Sequence, residues 1–263
     1  MNNTQKIAIL LMSWGFSCFC YSANTETYAV SSVIEKDVVK KNGLYVGVGL
    51  GGVGLQQNSN GNLSSSSGGL IAQKSESLHT GGAGLNSTLQ VGYGWYLPNR
   101  LFLGAEIFGN LTNTSSFISA TEVINQNRLS YSTTSTLQSM YGIRALPGYQ
   151  VISQAAVYGI VGYVRSHLKN SNGNGLISNG TFSINFPSSS SSLNLNGYQL
   201  GVGSLIDITE HLSLRGDVIY AGYQNRNEGP VTVISPDGQT RSAYAGYSQH
   251  TVEGDIGLVY KFN

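Results

Sequence analysis

The segment that decides the fold reads Thr251-Val252-Glu253-Gly254-Asp255-Ile256-Gly257-Leu258-Val259-Tyr260-Lys261-Phe262. Most of its large apolar side chains occupy alternate positions, and Glu253, Asp255 and Gly257 fall between them. Because successive side chains of a β-strand point to opposite faces, one face of this segment is apolar and the other is polar and charged. The segment therefore predicts a strand that separates two very different environments.

The same alternation recurs along the chain from Gly43 onward. The predicted strands lie near Gly43–Val53, Leu85–Leu97, Leu101–Leu111, Thr136–Tyr149, Ala156–His167, Leu195–Ile206, Leu212–Tyr223 and Tyr247–Phe262. Each of the eight segments has the alternating signature, about 10 residues long, that is typical of a transmembrane β-strand.

The connections between these segments alternate in length. The long ones, which are rich in Ser, Gly and Asn, are Gly54–Gly84, Thr112–Ser135, Leu168–Asn194 and Gln224–Gly246. The short ones are Pro98–Arg100, Val151–Ala155 and Asp207–His211. This alternation predicts an all-β fold, an eight-stranded antiparallel up-and-down transmembrane β-barrel with periplasmic turns and four long extracellular loops.

Composition excludes several other classes of protein. Only 10% of the 263 residues are charged, against roughly 25% in an ordinary soluble domain. The aromatic content of 10% argues against a disordered chain, and a net charge of +1 gives no basic surface for nucleic acid. No apolar run approaches the roughly 20 residues of a membrane-spanning helix.

The N-terminus has the layout of a secretory signal. Lys6 provides the basic region, Ile7–Phe19 is an uncharged apolar stretch, and small residues follow. Cleavage is expected after Ser22, with Ala23 as the alternative, so that residues 1–22 form the signal peptide.

The rest of the chain divides into a short linker and the barrel. Residues 23–42 are expected to be a periplasmic linker, and residues 43–263 the outer-membrane barrel domain. Because Cys18 and Cys20 both lie in the signal peptide, the mature chain is expected to have no thiol, disulfide or cysteine-based metal site.

Seven charged residues fall on the strand face opposite to the assigned apolar face. They are Glu106, Arg144, Arg165, Arg215, Asp217, Glu253 and Asp255. Eight strands enclose an interior that side chains can just fill, and buried charges persist only when they are paired. We therefore predict that these residues form ion pairs inside the barrel. The alternative is an amphipathic sheet whose charges face water.

The end of the chain resembles the C-terminal recognition strand of bacterial outer-membrane proteins, which the barrel-assembly machinery binds during insertion. The resemblance rests on Gly257, Tyr260 and Phe262, although Asn263 stands where such strands usually end in Phe. It implies that these three residues act as the insertion signal.

The chain from Gly43 to Phe262 resembles the small barrels of the opacity-protein and outer-membrane-protein-A-like family. The segments that carry the resemblance are Leu44–Leu50, Tyr158–Tyr163, Leu212–Tyr220 and the terminal strand. It implies a surface antigen that lies as a monomer in the cell outer membrane, surrounded by its lipids.

Motifs for catalysis or cofactors are weak. Gly47–Gly52 matches a dinucleotide fingerprint, but a Ser/Asn/Gly loop follows where that site needs a helix. His250 with Ser248 imitates the Ser/His site of lipid-modifying barrels, but no carboxylate shares its face. We expect no catalytic residue, cofactor or metal.

The expected function is structural and adhesive: a barrel anchor whose loops contact a host or another surface ligand. A narrow, porin-like pore and a lipid-modifying enzyme are the alternatives.

Overall fold

A computed structural model describes residues 42–67, 70–124, 127–173, 175–178, 183–186, 188–234 and 240–262. The chain divides into two compact units, Met1–Asp37 and Val38–Asn263, and every described residue belongs to the second. The predicted signal peptide, and the predicted linker apart from Asn42, lie outside the described residues. No helix among the described residues is long and apolar enough to cross a membrane.

Nearly all of the described chain is β-strand. The strands are β1 Gly43–Ser67, β2 Leu70–Tyr96, β3 Leu101–Ile124, β4 Asn127–Ile152, β5 Ala155–Asn172, β6 Gly175–Ser178, β7 Ser183–Phe186, β8 Ser189–Asp207, β9 Leu212–Tyr223, β10 Arg226–Ile234 and β11 Thr240–Phe262.

Eight of these strands close into an antiparallel ring. The order around the ring is β1, β2, β3, β4, β5, β8, β9 and β11, and β11 pairs with β1 again. The closing pair begins at Leu44 opposite Phe262, so the first and last strands of the barrel are neighbours. Closure gives every strand in the ring two partners and removes the free sheet edges. The predicted fold class, with eight antiparallel strands in up-and-down order, is confirmed.

Tight turns join the strands at one end of the ring. The first is the single 3-10 turn Pro98–Arg100, where Asn99 has a φ of 65°. Asparagine tolerates this left-handed conformation better than most residues. The other two turns occupy residues 153–154 and 208–211. All three lie within the short connections that the sequence predicts.

The opposite end of the ring differs from the prediction of long loops. β1 and β2 stay in register from Gly43 opposite Gly94 to Ser67 opposite Leu70, so most of the expected loop Gly54–Gly84 is a continued β-hairpin. β3 and β4 do the same up to Ile124 opposite Asn127. Ser- and Asn-rich segments lack the apolar alternation that marks a strand. A hairpin ladder can nevertheless extend through them, because β-propensity depends strongly on pairing context.

The outward surface of the ring is an apolar belt. Exposed side chains on it include Leu50, Val202 and Ile256, each about two-thirds exposed or more. Tyr141, Tyr163, Tyr198 and Tyr220 lie at the hairpin end of the belt, and we call these four residues the upper girdle. Aromatic residues at the edge of an outward apolar band mark the interface between hydrocarbon and head groups.

A β-bulge in β4 interrupts the alternation of that strand. The pairing of β4 with β5 shifts between Leu137 and Ser139. Leu137 is therefore fully buried in the interior and Gln138 is exposed, whereas strict alternation with the outward Tyr141 predicts the reverse for both. A bulge inserts one extra residue and so inverts the alternation beyond it.

Candidate functional site: the charged layer inside the barrel

Six of the seven charged residues predicted to face inward are buried in the barrel. They are Glu106 on β3, Arg144 on β4, Arg215 and Asp217 on β9, and Glu253 and Asp255 on β11. We call these six residues the charged layer. Their positions follow from the alternation of each strand, because the residues on either side of each of them point outward.

The prediction that Arg165 faces the interior is wrong. Arg165 is exposed on the outer surface of β5, on the same face as Tyr163. Most inward positions of β5 are apolar and buried, among them Tyr158, Ile160 and Val164. We assigned faces by placing apolar residues outside, and this rule fails for a strand whose inward residues build an apolar core.

The centre of the charged layer is a bidentate ion pair. Arg215 donates from Nη1 to Glu106 Oε2 at 2.7 Å and from Nη2 to Glu106 Oε1 at 3.0 Å. Its Nε donates to Asp217 Oδ2 at 2.8 Å. Charge-assisted, bidentate contacts of this kind are the strongest hydrogen bonds that side chains make. One guanidinium therefore joins two carboxylates from different strands.

Two tyrosines complete this network. Tyr45 on β1 donates its hydroxyl to Glu106 Oε2 at 2.9 Å, and Tyr158 on β5 donates to Asp217 Oδ1 at 2.6 Å. Sequence reasoning missed both as partners.

Arg144 has a different set of partners. Its Nη1 lies 3.6 Å from Glu106 Oε1, and its Nε donates to Gln199 Oε1 at 2.8 Å. Its guanidinium carbon also lies 3.5 Å from the centroid of the Phe108 ring. Arg144 is thus held by a carboxylate, an amide and an aromatic face, which compensate in part for its removal from water.

The two acidic residues of β11 are satisfied by neutral donors rather than by arginine. Asp255 accepts hydrogen bonds from Asn86 at 3.1 Å and Thr88 at 3.3 Å. Glu253 accepts one from Asn110 at 2.7 Å. These donors lie on inward positions of β2 and β3, and the ion pairs predicted for Glu253 and Asp255 are absent from the described residues.

Two glycines make room for the tyrosines. A side chain at Gly203 would collide with Asp217 Oδ1 and with the ring of Tyr158. A side chain at Gly92 would lie about 2.5 Å from the Tyr45 ring and hydroxyl. Glycine at these inward positions allows large side chains from other strands to cross the narrow lumen.

Apolar clusters cover the charged layer from both sides. The extracellular cluster contains Val53, Leu55, Phe108, Leu137, Met140, Val164, Leu168, Leu195, Ala221 and Tyr223. The periplasmic cluster contains Tyr45, Phe102, Leu146, Tyr158, Ile160, Leu205, Ile219 and Val259. The charged layer therefore lies in a packed interior of the kind expected for an eight-stranded barrel.

A further ion pair lies at the periplasmic end. Lys261 donates to Asp207 Oδ1 at 2.7 Å, and the same oxygen accepts a hydrogen bond from Ser213 at 2.7 Å. Sequence reasoning missed this pair. The alternation of β11 could have revealed it, because Lys261 shares the inward parity of Asp255 and Gly257.

His250 and Gly47–Gly52, the motif candidates of the sequence, lie in strands of the ring. His250 Nδ1 lies 2.7 Å from the Tyr220 hydroxyl, and the two rings stack on the outer surface. Gly47–Gly52 lies inside β1, which continues as strand where a dinucleotide site needs a helix. Among the described residues, no three His, Cys, Asp or Glu side chains form a group that could hold a metal.

The predicted insertion signal lies where β11 closes the ring. Tyr260 and Phe262 face outward with their ring centroids 5.1 Å apart, and Tyr260 also stacks on His211 of the β8–β9 turn. Gly257 points inward beside the backbone of Val48. Both aromatic rings therefore lie at the periplasmic edge of the outward apolar belt.

Replacing both Tyr260 and Phe262 with alanine should reduce assembly of the barrel in the outer membrane at least several-fold. These rings anchor the periplasmic interface and form part of the predicted recognition strand. The measurement is the amount of heat-modifiable protein in outer-membrane fractions. Tyr149→Ala with Val151→Ala, which removes two exposed side chains near another periplasmic turn, is the matched control. Normal abundance of the double variant would contradict the role of the terminal strand.

Comparison with known proteins gives matches by structure alone. No protein-family model matches the chain, and no curated protein matches it by sequence. Outer membrane protease OmpT from Escherichia coli is 11% identical, with 85% of this chain and 98% of that chain covered and a TM-score of 0.43.

Two smaller barrels are also similar. The attachment invasion locus protein Ail of Yersinia pestis, solved with the heparin analogue sucrose octasulfate, is 13% identical, with 81% of this chain and 99% of that chain covered and a TM-score of 0.32. Neisserial surface protein A is 16% identical, with coverages of 80% and 97% and a TM-score of 0.30. Because these TM-scores are below 0.5, we base the class of this protein on its own strand pairing and surface.

The fold and the charged layer define a class of protein. A closed antiparallel ring satisfies its backbone hydrogen bonds internally, which is what a strand structure needs in order to lie in lipid. The outward belt is apolar and the interior holds the charges. The protein is an outer-membrane β-barrel.

Proposed function

We propose that this outer-membrane barrel is a non-enzymatic, monomeric anchor that displays β-hairpins for contact with a host or another surface ligand. In this proposal it belongs with the opacity-protein and outer-membrane-protein-A-like surface antigens, and its terminal strand is bound by the barrel-assembly machinery. The observation that carries the proposal is the amount of regular hairpin that the chain builds beyond the membrane.

The hairpins are much longer than the membrane requires. A transmembrane strand needs about 9–11 residues, whereas β1 has 25 and β2 has 27. About 15 residues of each strand therefore project beyond the hydrocarbon, which corresponds to roughly 50 Å of strand at about 3.3 Å per residue. A barrel that served only as a membrane plug would have no use for such extensions.

The backbone ladder between the β1–β2 hairpin and the β3–β4 hairpin ends before the hairpins themselves do. Pairing between β2 and β3 ends at Asn86 opposite Thr112, whereas the β1–β2 and β3–β4 ladders continue beyond these residues. The upper parts of β2 and β3 therefore have backbone groups that are not used in mutual pairing. Free strand edges and polar side chains can both contribute to the binding of a protein ligand.

The packed interior of the barrel favours the role of an anchor and argues against that of a pore. Apolar clusters lie on both sides of the charged layer, and Arg215 connects β9 to β3 across the lumen. Planar bilayers that contain the purified barrel should therefore show no stepwise conductance, with a large general porin as the positive control. Reproducible single-channel steps that depend on the amount of protein would favour the pore.

Shortening the first hairpin tests the proposed function directly. Gln57 and Thr80 are register partners, so joining them through an Asn-Gly turn removes the distal β1–β2 ladder and, with it, the pairing of distal β1 with β11, but keeps the strands of the ring below. A second variant shortens the β3–β4 hairpin in the same way by joining Ser116 to its register partner Ser135. We expect at least one of the two variants to lower the binding of barrel-containing liposomes to cultured epithelial cells at least tenfold.

Heat-modifiable mobility of both shortened barrels is the control for folding. Liposomes without protein provide the background level of binding. If the complete chain does not exceed that background, or if barrels with every long hairpin shortened bind as the complete chain does, the adhesive proposal is wrong.

A further inference from the structure

A cationic stripe lies on the outer surface of β5, directly beyond the upper girdle. The outward residues in chain order are Val157, Val161, Tyr163, Arg165, His167 and Lys169. This face changes from aliphatic to aromatic and then to cationic as the strand leaves the membrane. We call Arg165, His167 and Lys169 the β5 stripe.

The position of the β5 stripe corresponds to the outer head-group region. Arg165 is ten residues beyond Ala155, the first residue of β5. At about 3.3 Å per residue and a tilt of about 40°, this separation is roughly 25 Å along the membrane normal, which matches the height of the apolar band in such barrels. Arg165 therefore lies at the hydrocarbon boundary, and Lys169 lies farther out.

The two cations of the β5 stripe, Arg165 and Lys169, lie among neutral side chains in the described part of the chain. Arg165 and Lys169 have no salt-bridge partner among the described residues. The outward neighbours on β4 and β8 are neutral: Ser139 lies opposite His167, and Asn196 lies opposite Arg165. Among the side chains that the structure describes, Arg165 and Lys169 are the only Lys or Arg on the outward face beyond the upper girdle.

Polar neighbours order this surface. His167 Nδ1 and Asn194 Oδ1 lie 2.9 Å apart, within hydrogen-bond distance. The Tyr163 hydroxyl donates to Asn196 Oδ1 at 2.8 Å. These two contacts connect β5 to β8 on either side of Arg165. The guanidinium is therefore flanked by an ordered aromatic ring and an imidazole.

We propose that the β5 stripe binds the phosphorylated head group of a glycolipid in the outer leaflet. An unpaired arginine at the hydrocarbon boundary attracts an anionic head group, and its planar fork suits phosphate. The acyl chains of the same lipid would lie on Val161 and Val157 below. This proposal goes beyond the display of hairpins and does not depend on it.

The test measures lipid retention by the complete, folded chain. The barrel is exchanged into mixed micelles that contain bisphosphorylated lipid A, and native mass spectrometry measures the fraction with one lipid bound. We expect Arg165→Gln with Lys169→Gln to lower the ratio of bound to free protein at least tenfold. Arg165→Lys, which keeps the charge but not the fork, should give an intermediate loss.

Two matched controls distinguish binding at the β5 stripe from general electrostatic attraction between the protein and anionic lipids. Arg100→Gln removes an exposed cation from a periplasmic turn and should leave retention of lipid A unchanged. Lipid A without its phosphates, and phosphatidylglycerol, should each be retained at least tenfold less than bisphosphorylated lipid A by the unaltered chain. The proposal would be overturned if the double variant retained bisphosphorylated lipid A within twofold of the unaltered chain. It would also be overturned if the unaltered chain retained either comparison lipid as well as bisphosphorylated lipid A.

Discussion

Replacing Arg215 with methionine should lower the free energy of unfolding of the barrel by about 3–5 kcal/mol, the usual cost of removing one partner from a buried ion pair. Arg215 is the only side chain that contacts both Glu106 and Asp217 within the described network. Its loss would leave two carboxylates buried between apolar clusters, with only Tyr45, Tyr158 and the more distant Arg144 near them. The cost comes from these carboxylates and not from the lost cation.

Neutralising the carboxylates should therefore restore much of the lost stability. The triple variant Arg215→Met, Glu106→Gln, Asp217→Asn leaves neither of these two acidic side chains charged, and Arg144 keeps Gln199 and the Phe108 ring as its neighbours. Urea unfolding in lipid vesicles gives the free energies. Arg100→Met, which removes an exposed arginine from a periplasmic turn, is the matched control and should change stability by less than about 0.5 kcal/mol. Equal stability of the Arg215 and Arg100 variants would show that the charged layer does not stabilise the fold.

Replacing Val202 with arginine should destabilise the barrel by about 2–4 kcal/mol, the cost measured for a cation near the middle of the bilayer. Val202 is 65% exposed on the outward face of β8 and lies opposite Gly159 of β5. In water an exposed valine tolerates a charged replacement, because surface substitutions usually change stability by less than about 0.5 kcal/mol. The expected loss of stability would therefore show that residue 202 faces lipid, and it would not reflect a change in packing.

The control for this variant lies on the same strand. Ile206→Arg places the same charge on the outward face of β8 near its periplasmic end, opposite Ala155 and Leu214. Near the interface the cost falls to about 0–1 kcal/mol. Unfolding in vesicles of matched lipid thickness measures both values. A loss as small for Val202→Arg as for Ile206→Arg would mean that Val202 does not face lipid.

The alternation of apolar residues was sufficient to predict the ring. In β2, β3, β8, β9 and β11 the outward and inward residues are those that the pattern indicates, because the apolar residues that alternate in each of these segments form its outward face. Arg215 and Asp217 are two residues apart on one strand, as are Glu253 and Asp255 on another, so the alternation also placed these four members of the charged layer inside the barrel. A period of two is a local property of a strand, and it is visible in one segment at a time.

The alternation did not show which inward side chains contact one another. Arg215 pairs with Glu106, a residue 109 positions earlier in the chain, whereas Glu253 and Asp255 take neutral donors from β2 and β3. Which inward side chains meet depends on the stagger of strands around the closed ring and on the height of each residue in the lumen. Neither quantity can be obtained from a single strand.

The sequence by itself determined the eight strands, their order and the face of most of their residues, because lipid outside and a narrow lumen inside impose opposite polarity on alternate positions. Only the tertiary structure decided the rest. It placed Arg165 outside, because the inward residues of β5 complete apolar clusters contributed by other strands. It also turned Ser-rich connections into hairpins, because a backbone ladder needs a neighbouring strand and not an apolar side chain.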